Sequence, residues 1–332
     1  MFLRVIKDWA LPTSMISGAL AYFVGKALPF SSSAKGEILE YVHTLQPLLL
    51  FVMLFCAFCK VNPHDMRPRR WHLWLLLTQC ALFTGTCLVM MNISATGNHS
   101  IGYFLEGFLL AIICPTATAC AVITQKLGGD SATTTTYTLI INLAVALIAP
   151  LMLPLVSPQG NLTFLAAFLT ISKKVFPLLI FPLALAWATR YLMPRLHSKI
   201  LSVRDLAFYL WLVALALAIA ITCRALWHSN ATFSDILAIA IATFIACVFQ
   251  FGFGKWVGKH YQQTIEAGQA MGQKNTIFII WLGYTYLSPL SATAGGFYSI
   301  WHNLANSWQL YKKRMNASVS SSKEDNKKAS SK

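Results

Sequence analysis

Apolar runs of about twenty residues alternate with short polar connections along most of the chain. A run of that length is what an α-helix needs to cross the roughly 30 Å hydrocarbon core of a bilayer. Ten such runs are legible, near 9–29, 38–59, 71–91, 102–126, 131–156, 174–193, 206–226, 232–255, 260–287 and 289–310. The expected fold class is therefore an all-α polytopic membrane protein with ten transmembrane helices. Two runs carry polar interruptions at their centres. In the fourth it is Cys114-Pro115-Thr116-Ala117-Thr118, and in the ninth it is Gly272-Gln273-Lys274-Asn275-Thr276.

These interruptions are costly where they stand. A lysine at the bilayer centre costs roughly 2.5–3.5 kcal/mol on insertion scales, and intramembrane ionisable groups mark pathways and binding sites. Lys274 lies too deep to snorkel to the interface. Pro115 removes a backbone donor and disfavours helix at Cys114, which predicts a break there. Unwound backbone at that depth survives only where it lines a cavity or is buried in protein. The chain thus places its oddest residues at the middle of two helices.

Composition agrees with the span pattern. Hydrophobic residues make up 56% of the chain and charged residues 11%, about half the charged fraction of a soluble domain. A formal net charge of +15 would suit a nucleic-acid partner, but the basic residues flank apolar runs and line no single face, so none is expected. With the N-terminus inside, twenty of the 26 Lys and Arg residues fall in inside segments and five outside, and the last is Lys274. That asymmetry predicts an N-in, C-in topology. The first apolar run reads as a transmembrane helix and not as a cleavable signal. All eight cysteines fall inside apolar runs, where they read as small hydrophobes rather than a disulfide framework.

Leu162 to Ile171 reads as a segment lying along the outer surface before the sixth helix. The tail from 312 to 332, rich in Ser, Lys, Asn and Asp, reads as disordered and attracted to anionic lipid. Tryptophans near run ends (Trp9, Trp71, Trp74, Trp227 and Trp301) read as interfacial anchors.

Ten helices divide into two sets of five, and an odd number per set turns the second set upside down, the plan of many secondary transporters. The repeats are expected at about 1–156 and 162–311. At a constant offset of 160, Glu106 aligns with Glu266, Cys114 with Lys274, Pro115 with Asn275 and Thr116 with Thr276. Two broken helices that meet at the midplane present partially positive N-termini to an anion and freed carbonyls to a cation.

Cys114-Pro115-x-x-Thr118-Ala119 followed by Gly129-Asp130, the Thr78-Gln79 pair, and Gln273-Lys274-Asn275-Thr276 resemble the bile acid:sodium symporter family. The loop from Phe58 to Arg70, with Asp65 and Pro68, is similar to that family's connection between its second and third helices. The resemblance spans the ten-helix layout, as a divergent, bacterial-type branch. It implies a panel domain of helices 1, 2, 6 and 7 and a core domain of helices 3, 4, 5, 8, 9 and 10, with helices 4 and 9 broken and crossing.

The resemblance also implies a substrate site and an ion. Thr118 and Asn275 match substrate-facing positions, in a stretch that also holds Pro115, Thr116, Lys274 and Thr276. Gln79, Thr134 and Thr138, with Gln273, match sodium-ligand positions. Where the family commonly has Ser-Asn after Thr118-Ala119, this chain has Cys120-Ala121. Where the family has Glu-x-x-x-Gln-Asn, Ala270 takes the Glu position and Lys274 the Gln position. An anionic ligand is lost there and a fixed cation gained.

The function these residues imply is secondary active transport of an organic anion, bile acid-like or a small carboxylate, by alternating access. Sodium is the coupling ion implied by the family. The alternative set by the departures is that the Lys274 ammonium replaces it, with sodium-independent or proton-coupled transport. A second class is a cation/proton antiporter on a related inverted-repeat core, which needs a carboxylate beside the lysine at the midplane. A third is an intramembrane enzyme, which needs clustered acidic or His/Asp groups. No cofactor beyond the coupling ion is expected. The partners are a small organic anion and the lipid of a plasma or bacterial inner membrane.

Overall fold

A computed structural model describes the chain except for residues 1–9, 30, 94–98, 158–162, 204–205 and 330–332. Arg4, Lys7 and Trp9 thus lie outside the described residues. Those described form thirteen α-helices and no strand: α1 (Ala10–Ala27), α2 (Ser32–Cys59), α3 (Arg70–Ile93), α4 (His99–Ile113), α5 (Cys120–Leu127), α6 (Ser131–Val156), α7 (Phe164–Leu192), α8 (Pro194–Ser202), α9 (Leu206–His228), α10 (Phe233–His260), α11 (Thr264–Gly272), α12 (Thr276–Tyr286) and α13 (Thr293–Ala329). Six are long and apolar enough to cross a membrane. Large apolar side chains such as Leu20, Leu147, Phe181 and Val248 are exposed on four different helices. In water that much scattered apolar surface would be a liability, whereas against lipid tails it is the expected outside of a membrane protein.

Helix starts follow local capping chemistry. Asp130 accepts from the backbone N–H of Ala132 to open α6. Thr232 and Asp235 form a reciprocal capping box that opens α10. Gly128 ends α5 at φ +88°, the left-handed geometry that glycine adopts without penalty.

Close helix contacts need small residues. A Cβ on Gly254 would sit 2.5 Å from the Ala267 carbonyl oxygen, and one on Gly272 would sit 2.4 Å from the Phe251 ring. Those positions bring α10 and α11 together at van der Waals distance, as packing in lipid requires.

The two interrupted runs are broken where the polar residues predict. Residues Cys114 to Ala119 separate α4 from α5, and Gln273 to Asn275 separate α11 from α12. Three expectations differ from the structure. The segment from 164 to 171 is the first two turns of α7, a single 29-residue helix capped by Thr163, whose hydroxyl accepts from Ala166 N–H. The helix continues because nothing between Ile171 and Lys173 breaks it. Trp71 is 1% exposed and donates to the Gln263 side chain, so it packs inside the bundle. Finally, α13 is helical through Ala329 where a disordered tail is expected from 312, since i to i−4 bonds are local and continue a helix without tertiary partners.

Candidate functional site

The two breaks meet. Their backbones pair antiparallel at Thr116 and Lys274, through Ala117 N–H to Gln273 O at 2.8 Å and Asn275 N–H to Pro115 O at 3.0 Å. Pro115 has no N–H to return to Asn275. The Cys114 thiol donates to the Asn275 carbonyl instead, at 2.9 Å. The Thr116 hydroxyl donates to Ala270 O at 2.6 Å, and the Asn275 side chain caps α12 by accepting from Phe278 N–H. Several of the backbone groups freed by unwinding are thus matched within the crossing, as burial demands.

Lys274 is 0% exposed. Its ammonium donates to Gln79 Oε1 at 2.9 Å, and the Tyr137 hydroxyl donates to the same oxygen at 3.2 Å. The Gln79 amide nitrogen donates to Ile112 O at 2.8 Å and Cys114 O at 3.1 Å, carbonyls that the end of α4 leaves without helical partners. One glutamine therefore caps a broken helix with its nitrogen and holds an ammonium with its oxygen. Cys80, Cys114 and Cys120 surround the charge.

The expected site residues divide between this cluster and its margins. Pro115, Thr116, Lys274, Asn275, Gln273 and Gln79 come together at the crossing, with Thr276 opening α12 and Thr118 half-buried beside it. Thr134 and Thr138 are buried on α6 and donate to Ser131 O and Thr134 O of their own helix, and the Thr134 hydroxyl also meets the Cys120 thiol. Gln273 Oε1 is buried with no hydrogen-bond partner among the described residues. These are neutral oxygen donors of the kind a hard cation takes. Gln79 differs, because its oxygen already serves the ammonium. Among the described residues no carboxylate reaches Lys274. Glu266, in the first turn of α11, accepts from Asp130 N–H at 2.8 Å, and Glu106, at the middle of α4, accepts from the Ser291 hydroxyl.

A cavity of about 780 Å³ opens elsewhere, between the C-terminal end of α9, the first turns of α4 and α10, and the α12–α13 connection. Its lining includes Arg224, His228, His99 and Asp235. None of the expected site residues lines it. Sequence reading missed this cavity because its walls come from three distant stretches, each with ordinary polar residues at a helix end.

Compared with known proteins, residues 47–229 match the Sodium Bile acid symporter family. That stretch includes Gln79, Pro115, Thr118, Thr134 and Thr138 and ends before Lys274. A Bacillus subtilis protein named as an uncharacterized sodium-dependent transporter, YocS, is 24% identical over 280 residues, which cover 82% of this chain and 83% of the relative.

Proposed function

Because the chain belongs to the Sodium Bile acid symporter family, we propose that it is a secondary transporter of an organic anion that works by alternating access, with Lys274 as a built-in cation at the crossing. The observation that carries this reading is the pairing of two unwound strands around a sealed lysine. Such a crossing leaves helix ends and free side-chain groups at one place for an anion and a cation together.

The ten-crossing, two-repeat organisation belongs to the same proposal. Glu106 and Glu266, related by the offset of 160, hold equivalent posts: each accepts a hydrogen bond at the approach to the helix that follows the other repeat's broken pair. Asp130 plus 160 is Leu290, the neighbour of Ser291. In this scheme α1, α2, α7 and α9 make the panel, and α3, α4–α5, α6, α10, α11–α12 and α13 make the core, with both termini inside. The core moves against the panel and exposes the crossing to each side in turn.

The relative's name speaks of sodium, and Thr134, Thr138 and Gln273 offer oxygens for that ion. Lys274 occupies the position beside Gln79, so one cation place is filled covalently. An antiporter would need a carboxylate facing this ammonium, and the group facing it is a neutral amide, which favours the anion transporter.

Proteoliposome uptake of bile acids and small carboxylates, with and without sodium and a pH gradient, tests the reading. Uptake of at least one anion is expected, and Lys274→Gln is expected to make uptake several-fold more dependent on sodium. No uptake under any gradient overturns transport. Equal sodium dependence in both proteins overturns the role of Lys274.

A further inference from the structure

We propose that the cavity at the end of α9 is a second anion site, distinct from the crossing, which receives an amphipathic carboxylate or sulfonate on Arg224 before it reaches the transport site. The proposal rests on the transport reading above.

The first argument is charge. Arg224 is half-buried in the cavity wall and has no hydrogen bond or ion pair among the described residues. A guanidinium presents a planar fork of donors matched to carboxylate or sulfonate oxygens. Asp235 lines the same cavity but is already spoken for. Its Oδ1 accepts from Ser100 at 2.6 Å, and its Oδ2 accepts from the Thr232 N–H at 3.0 Å and hydroxyl at 2.8 Å. The acid is thus committed to joining α10 to α4, while the arginine remains available.

The second argument is shape. The volume of about 780 Å³ falls within the roughly 300–1,000 Å³ typical of small-molecule sites. Ile221, Ala225 and Leu290 supply an apolar wall one to two turns below His228. A ligand with a charged head and an apolar body fits that gradient, with the head at Arg224 and His228.

The third argument is separation. Tyr103 is the deepest lining residue on α4, and eleven residues of rise at 1.5 Å each put Cys114 about 16 Å further along. The intervening Leu109, Leu110, Ile112 and Ile113 are at most 2% exposed. Cavity and crossing are closed off from each other here. Arg224 stands on a proposed panel helix and the Ser100–Asp235 junction on proposed core helices, so a ligand bridging them would sense the motion between the two.

Equilibrium binding of radiolabelled 2-naphthoate to the full-length protein in nanodiscs tests this, with 2-naphthamide as the uncharged comparison. Arg224→Gln is expected to weaken naphthoate binding at least tenfold and Arg224→Lys less, with thermal unfolding of both near that of the parent. The amide is expected not to distinguish the parent from Arg224→Gln. Asn275→Ala, at the crossing, is expected to abolish uptake yet leave naphthoate binding within twofold. Unchanged affinity in Arg224→Gln overturns the site, and so does an equal loss in Asn275→Ala. Binding that depends on Arg224 in a protein that takes up no anion upholds the site and fails the transport reading alone.

Discussion

At the scale of single residues, Lys274 is the group whose position constrains most. A buried charge without a partner costs far more than one with a hydrogen-bonded partner, and here the partner is the Gln79 amide oxygen. Gln79→Leu removes that acceptor from both Lys274 and Tyr137 and should cost about 3 kcal/mol or more. Thermal unfolding in detergent reads the loss. Adding Lys274→Met to Gln79→Leu should restore most of it, since the ammonium that needed the acceptor is gone. Two penalties that simply add would contradict the pairing. The tryptophans show the reverse limit of residue-level reading. Trp74 and Trp227 are exposed near helix ends, as anchors should be, yet Trp71 has the same sequence context and is buried against Gln263. A residue's neighbours in sequence do not say which side of its helix meets lipid.

At the scale of elements, the breaks and the close contacts follow different rules. Pro115 and the polar run at Gln273 predict breaks because they act on their own backbone. Close approach depends on a partner helix. Gly18 and Gly25 both lie on α1, but a Cβ on Gly18 would meet the Ala216 carbonyl oxygen at 2.2 Å while one on Gly25 meets nothing within 4 Å. Gly18→Ala should therefore push α1 off α9 and destabilise by about 1–3 kcal/mol. Gly25→Ala should be neutral or stabilising by up to about 1 kcal/mol. A denaturation series on the two variants checks this, and similar effects at both sites would argue against the tight α1–α9 contact. The continuous α7 makes a related point. Its first turns, from Phe164, look surface-bound in sequence because lysines at 173 and 174 follow them, but two exposed lysines do not interrupt a helix.

At the scale of the whole molecule, orientation can be tested directly. The proposed topology puts Ser229 outside and Ser198, on α8, inside. In sealed right-side-out vesicles, a membrane-impermeant maleimide should label Ser229→Cys at once and Ser198→Cys only after permeabilisation. The parent supplies the background, since six of its eight cysteines are buried and the other two only partly accessible. Labelling of both from outside would overturn the arrangement.

Helix content, six of the apolar spans, the two broken centres and the family motifs were determined by the sequence alone. Each is a local property: apolar run length, a missing proline N–H, a lysine among apolar neighbours. Tertiary structure decided that the broken centres pair with each other, that Gln79 rather than a carboxylate meets Lys274, and that Arg224 faces a cavity. Those are contacts between residues more than a hundred positions apart in sequence, or between the ends of four helices. They depend on how helices dock, and no local pattern carries that information.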